Sequence, residues 1–162
     1  MTLAQTFLPK LGEHRPPSPG RHVLAHADGA SGWSVTATIE KADALSCQLW
    51  EIAMHRARPA TIDPAALAQW ANEIAERVTG LMEPLRVLEI DNARNEALLR
   101  SEAVTERHDK RFHYEVKLEG TYRATLRRYQ AGLDSRAKRE QVPFVLTHET
   151  LGKFMDDVAA SL

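Results

Sequence analysis

Residues 111–119 read Arg-Phe-His-Tyr-Glu-Val-Lys-Leu-Glu. Phe112, Tyr114, Val116 and Leu118 alternate without a break with Arg111, His113, Glu115, Lys117 and Glu119. Strict period-two alternation marks a β-strand with one buried face and one wet face. Gly120-Thr121 then predicts a tight turn, after which Tyr122, Ala124 and Leu126 resume the apolar face. Whatever else the chain forms must cover or extend this hairpin.

A second hairpin precedes it. Residues 85–91 and 97–102 flank the turn-forming Asn92-Ala-Arg-Asn95, and residues 104–110 read as a polar connection. Further upstream, residues 22–27 suit a short edge strand, and Asp28-Gly-Ala-Ser-Gly32 suits a turn. In residues 33–40, Trp33, Val35, Ala37 and Ile39 form a clean apolar face. Residues 44–55 predict a longer strand whose phase changes partway. Leu45, Cys47 and Leu49 start on one face, while Trp50, Ile52 and Met54 take the other. A bulge near Leu49–Trp50 reconciles the two sets. The alternative is a central strand covered on both faces.

Helical signals are fewer. Asp63 is placed to cap a helix over residues 64–79, Pro64 suits its first position, and Gly80 suits a left-handed residue just past its end. Leu67, Trp70, Ala71, Ile74 and Val78 make one apolar stripe, with Ile62 placed to staple onto Leu67. Thr147 predicts the cap of a second helix over residues 148–160, with Leu151, Phe154 and Val158 inward and Asp156-Asp157 toward water. Residues 131–139 read as a charged loop. Residues 142–146 read as a last strand, and Pro143 confines it to an edge or to pairing on one side.

Residues 1–20 are expected to form a flexible arm ahead of a single domain over residues 21–162. Pro9 limits any helix built on Leu3, Phe7, Leu8 and Leu11, and residues 14–20 have the composition of an extended linker. The sharper alternative is a docking peptide that packs on its own domain or on a neighbour. The fold class is α+β: an antiparallel sheet of about seven or eight strands in the order ββ(β)-α-ββββ-β-α, with two main helices packed on it. A parallel sheet would need a helix between most strands. In element order alone, this resembles secretion-chaperone-type folds, a likeness that does not fix function.

Composition excludes more than it selects. A formal net charge of −1 over 162 residues gives no global pull toward nucleic acid or a membrane. The single Cys47 permits no internal disulfide and no cysteine-based metal cluster, and it reads as an inert core thiol. Residues 1–11 lack a basic region and an unbroken apolar core, so a cytoplasmic location without a membrane span is expected. No cofactor and no metal are expected. His22 and His26 fall four apart, which on a strand separates them by roughly 13 Å, too far for one ion.

The candidate binding residues are His55, Arg56, His113, Arg123, Arg127, Arg128 and Tyr129. His55 and Arg56 end one predicted strand, and the others lie along the second hairpin. His108-Asp109 with His113 is an acid–histidine grouping, weighed against a solvated connection. Between residues 120 and 141, six basic side chains (Arg123, Arg127, Arg128, Arg136, Lys138, Arg139) face Asp134 and Glu140, with Tyr122 and Tyr129 interleaved. Such a patch suits single-stranded nucleic acid. The bland reading is that these arginines neutralise Glu89, Glu96, Glu102 and Glu115 across neighbouring strands.

Two helices cannot cover both faces of so wide a sheet. The leading functional expectation is therefore a non-enzymatic module that binds a protein partner, or its own copy as a homodimer, through an exposed sheet face or edge. The alternatives are a small-ligand binder or enzyme with a pocket between helix and sheet, and a nucleic-acid binder through residues 123–139.

Overall fold

The computed structural model describes residues 1–16, 18–102, 105–132 and 138–162. α1 (Leu3–Glu13) leads into β1 (His22–Ala27), β2 (Ser34–Ala42) and β3 (Ser46–His55), and α2 (Pro64–Arg77) follows. The second run is β4 (Leu85–Asp91), β5 (Glu96–Ser101), a short β6 (Thr105–Arg107), β7 (Lys110–Glu119) and β8 (Arg123–Gly132). Two short strands, β9 (Glu140–Val142) and β10 (Phe144–Thr147), lead into α3 (His148–Ala160). Val104, the first residue of the expected polar connection, and Asp134 and Arg136 of the basic patch lie outside the described residues.

The architecture is the expected α+β with an antiparallel sheet. Its strand order is β1-β2-β3-β8-β7-β5-β4, and β6, β9 and β10 pair with β7, β8 and β3 respectively. The β7–β8 hairpin runs in register from Glu119–Arg123 to Lys110–Gly132. Its turn depends on Gly120, whose φ is 48° and whose missing Cβ would come within 2.8 Å of the Asn95 amide. The segment read as a polar connection contains β6, joined to β7 by His108 and Asp109, both at positive φ as a two-residue hairpin turn requires.

One face of the sheet carries the core. Val35, Ala37, Ile39, Leu49, Ile52, Met54, Leu99, Val116, Leu118 and Leu126 meet the buried stripes of all three helices. Trp70 of α2 is fully buried against Trp33, ring centres 6.0 Å apart, and its indole N–H donates to the Val158 carbonyl of α3. α1 belongs to the same core. Leu3, Ala4, Phe7 and Leu11 are buried, and the Ala4 N–H donates to the Asp156 carboxylate of α3. Residues 1–20 therefore include a packed helix, with Pro9 in its second turn, where the expectation was a flexible arm. Among the described residues no helix is long and apolar enough to cross a membrane.

The phase change in β3 is a bulge. Thr38 of β2 pairs with Glu51 and Ile39 with Leu49, so Trp50 is the extra residue. It lets Cys47 and Leu49, then Ile52 and Met54, all reach the core. Trp50 does not join the latter two; it is half-buried beneath the Arg21 guanidinium, 3.5 Å from its ring centre. Leu45 is exposed in the turn before β3.

Three local expectations are corrected. Ile62 is 64 % exposed, so it does not staple α2. α2 ends at Arg77 with an extended Val78, and the left-handed residue beyond it is Met82, at φ 65°, rather than Gly80. The strand expected over residues 142–146 is split by Pro143 into β9 and β10.

Trp70→Ala and Phe7→Ala should each lower the unfolding free energy by about 3–5 kcal/mol in urea denaturation. A Phe7→Ala loss below about 1 kcal/mol would detach α1 from the core.

Candidate functional site

β3 and β8 pair directly only from Ile52–Leu126 to His55–Arg123. Beyond that they part. β8 is already held along one side by β7 and β3 along one side by β2, so β9 and β10 must occupy the space between them. β9 pairs with β8 from Gln130–Glu140 to Arg128–Val142, and β10 pairs with β3 from Phe144–Leu49 to Thr147–Ser46. Pro143, which has no N–H, sits at the apex. The Gln141 amide donates to the Trp50 carbonyl and so ties β9 to the bulge.

This fork opens into a recess of about 640 Å³. Phe112, Tyr114 and Phe144 supply its aromatic wall, with Phe144 edge-on to Tyr114 at 5.6 Å. The loop after α2 supplies the opposite wall through Leu81, Met82 and Glu83. Val145 of β10 and Arg107 of β6 stand at the rim. Met82 is 95 % exposed and Val145 60 % exposed, so the rim holds apolar side chains in solvent beside Arg107. Among the described residues no helix residue lines the recess.

A buried ion pair holds the loop in place. Arg128 Nη1 lies 3.2 Å from Glu83 Oε2, both side chains being largely shielded. The Ser101 hydroxyl donates to Glu83 Oε1 at 3.0 Å and accepts the Tyr114 N–H at 2.9 Å. The Arg128 guanidinium also lies 4.3 Å from the Tyr114 ring centre. Burial pushes the Tyr114 phenol above its ordinary range, and the Arg128 charge offsets part of that rise. Met82, the residue before Glu83, stands at the rim in a left-handed conformation, which residues with a Cβ adopt uncommonly.

The opposite sheet face is polar and closed upon itself. His113 and Glu115 were expected to face water, yet His113 is 7 % and Glu115 4 % exposed. Long neighbouring side chains cover them, which alternation alone does not reveal. Arg100 reaches Glu115 Oε1 at 3.0 Å, His113 Nε2 reaches it at 3.1 Å, and Arg139 takes Oε2. A carboxylate only accepts, so Nε2 of His113 carries a proton. Tyr129 stacks on His113 at 5.8 Å, and the Arg139 guanidinium lies 4.2 Å over the Tyr129 ring. Burial works to raise the Glu115 carboxyl, but the donors from His113, Arg139 and Arg100 outweigh it and hold it at about 2, against an ordinary 4.5. A carboxylate with three donors is a structural anchor, not a base.

The predicted site residues do not converge. His113, Arg123, Arg127 and Tyr129 share the polar face with His55, which lies opposite Arg123. Arg56 donates to the Thr121 carbonyl. Arg128 points to the other face, because adjacent residues on a strand do. The arginines are neutralised by carboxylates, though mostly not by those expected: Arg123 by Glu119, Arg127 by Glu51 and Arg128 by Glu83. A phosphate would have to displace Glu119 or Glu51 from these partners. His26 faces the Thr6 hydroxyl and His22 the Ser18 carbonyl. Cys47 is buried, its thiol pushed up to about 12 by burial and by the nearby Asp43 charge.

Phe112, Phe144, Leu81, Met82, Val145 and Arg107 were not among the predicted site residues. One signal pointed to them. A ten-residue strand such as β7 runs roughly 33 Å, whereas a 14-residue helix such as α2 covers roughly 21 Å. One end of the hairpin's apolar face, at Phe112, must therefore be roofed by something other than that helix. The chain matches no family model, no curated protein and no solved structure.

Two neighbouring arginines separate the two faces experimentally. Arg128→Ala breaks the shielded Arg128–Glu83 pair and should cost about 3–5 kcal/mol. Arg127→Ala, at a more exposed pair, should cost about 1 kcal/mol or less. Urea denaturation checks both. Glu115 contributes through its lowered pKa: its stabilisation is fully present above about pH 4.5 and is lost as pH falls toward about 2. Glu115→Gln should therefore be less stable than the parent at neutral pH and lose less stability across that interval. Parallel pH profiles would contradict the depressed pKa.

Proposed function

We propose that the protein is a non-enzymatic binding module and that the recess at the strand fork receives an apolar segment of a protein partner. One observation carries this reading: a preformed cavity of about 640 Å³ whose wall is aromatic and whose rim holds Met82 and Val145 in solvent. A cavity of that size is within the range of binding pockets. Contiguous exposed apolar surface around such an opening is unfavourable unless something covers it. Methionine suits this position, because its unbranched, polarisable side chain adapts to varied partners.

The setting favours a peptide segment over a small molecule. Among the described residues β9 and β10 each pair on one side only, and Val142, Pro143, Phe144 and Val145 of this segment line the recess. Backbone groups at an unpaired strand edge satisfy an extended chain, while a pocket beside them selects its side chains. Binding is favoured over catalysis because Glu83, the one carboxylate on the described lining, is engaged by Arg128 and Ser101, and no histidine, cysteine or serine joins it there. The polar sheet face is the weaker docking candidate, since its charges already pair with one another.

A displayed library of random dodecapeptides panned on the full chain tests this. Binders should shift the amide resonances of Leu81, Met82, Phe112, Tyr114 and Val145. Val145→Arg, at an exposed position, should weaken them at least tenfold while leaving the melting temperature near that of the parent. Binders whose shifts fall on His113 and Tyr129 instead would move the site to the polar face. A panning that yields no binder would count against peptide recognition. Sedimentation equilibrium over a hundredfold dilution series would reveal a second copy of the chain as the occupant.

A further inference from the structure

Charge at the rim of the recess narrows the chemistry of its occupant. Within the recess Glu83 and Arg128 neutralise each other. Arg107 is left. It is exposed, and it makes no ion pair among the described residues. Its sequence neighbour Glu106 is taken by Arg111 at 3.2 Å. Across the β6–β7 ladder, Arg107 stands directly opposite Lys110. Like charges facing each other across a two-strand pair are destabilising, and the tight His108-Asp109 turn holds them in that register. Asp109 in the turn offsets one of the two cations, so in a chain whose formal net charge is −1 these residues leave a local net positive site, placed beside an aromatic pocket.

Resting on the reading of the recess as a partner site, we propose that the partner segment carries an acidic side chain next to the apolar side chain that fills the recess, and that Arg107 binds the acid. An arriving carboxylate would relieve the repulsion between Arg107 and Lys110 as well as pair with the guanidinium, whose planar fork matches its two oxygens. The apolar anchor provides burial and the acid provides selectivity, since a basic residue at that point would meet two cations. Phe112, two residues beyond Lys110 on β7, puts the pocket wall and the charged rim within reach of neighbouring residues of one extended peptide.

A charge swap tests it on the full-length chain. Dodecapeptides selected on the parent protein should be enriched in Asp or Glu within three positions of a large apolar residue. Arg107→Glu should weaken a selected peptide about tenfold or more, and replacing that peptide's acid by Lys should restore binding to Arg107→Glu while weakening it on the parent. Raising the salt should weaken the parent complex and leave a peptide with Gln in place of the acid unaffected. Selected peptides that lose affinity on Val145→Arg but show no acid preference and no response to Arg107→Glu would overturn this inference and leave the recess as the site. Peptides that bind but ignore both substitutions would overturn the recess as well. Arg107 is exposed, so a circular-dichroism melt near that of the parent separates lost recognition from lost folding.

Discussion

Four residue pairs join β3 to β8, and beyond them the strands part. The parting coincides with the bulge in β3. The extra residue at Trp50 breaks its register with β2 and bends the strand, as an inserted residue in one strand of a pair does. The two halves of the sheet are thus joined at one end and splayed at the other. Something must satisfy the exposed inner edges of β3 and β8, because unpaired backbone groups away from water are costly. The segment around Pro143 does so, pairing with β8 on the way in and with β3 on the way out. Proline at the turning point removes an N–H where neither strand could accept it.

The recess follows from that arrangement. Helices α2 and α3 seal the core where the sheet is continuous, with Trp70 bridging them, and α1 closes the remaining side against α3. At the fork a loop takes over the covering role. Such a loop has too little apolar surface to hold itself down, and the shielded Arg128–Glu83 pair supplies the missing anchor. A buried ion pair stabilises little beyond what apolar residues would, but it fixes position strictly. Here the fixed positions are those of Leu81 and Met82, the wall and rim of the opening.

The two faces of the sheet differ in how they handle surplus surface. The apolar face is covered by helices except at the fork. The polar face covers itself: arginine stems lie over the sheet while their heads satisfy Glu115, Glu51 and Glu119. That network accounts for a buried histidine and a buried glutamate on a face where both would ordinarily be wet. It also engages, within the protein, Arg123, Arg127 and Arg139, three of the basic side chains that made residues 123–139 resemble a phosphate-binding patch.

Local patterning determined the strands and their facing. The alternation over residues 111–119, the turn at Gly120, the caps at Asp63 and Thr147 and the buried stripe around Trp70 are all decided within a few residues of themselves, so they are legible in the chain. The bulge at Trp50 was legible for the same reason, since a phase change in an apolar pattern has few physical explanations. Tertiary structure alone decided the rest. Which carboxylate neutralises Arg128 depends on Glu83, 45 residues away on a loop, and no spacing encodes that pairing. Whether Leu3 and Phe7 belong to a loose arm or to the core depends on the exposed flank of α3, which exists only once the sheet has formed. The recess is of the same kind: its walls come from five separated stretches, and a cavity is a property of how strands diverge in space, which side-chain order along one strand does not carry.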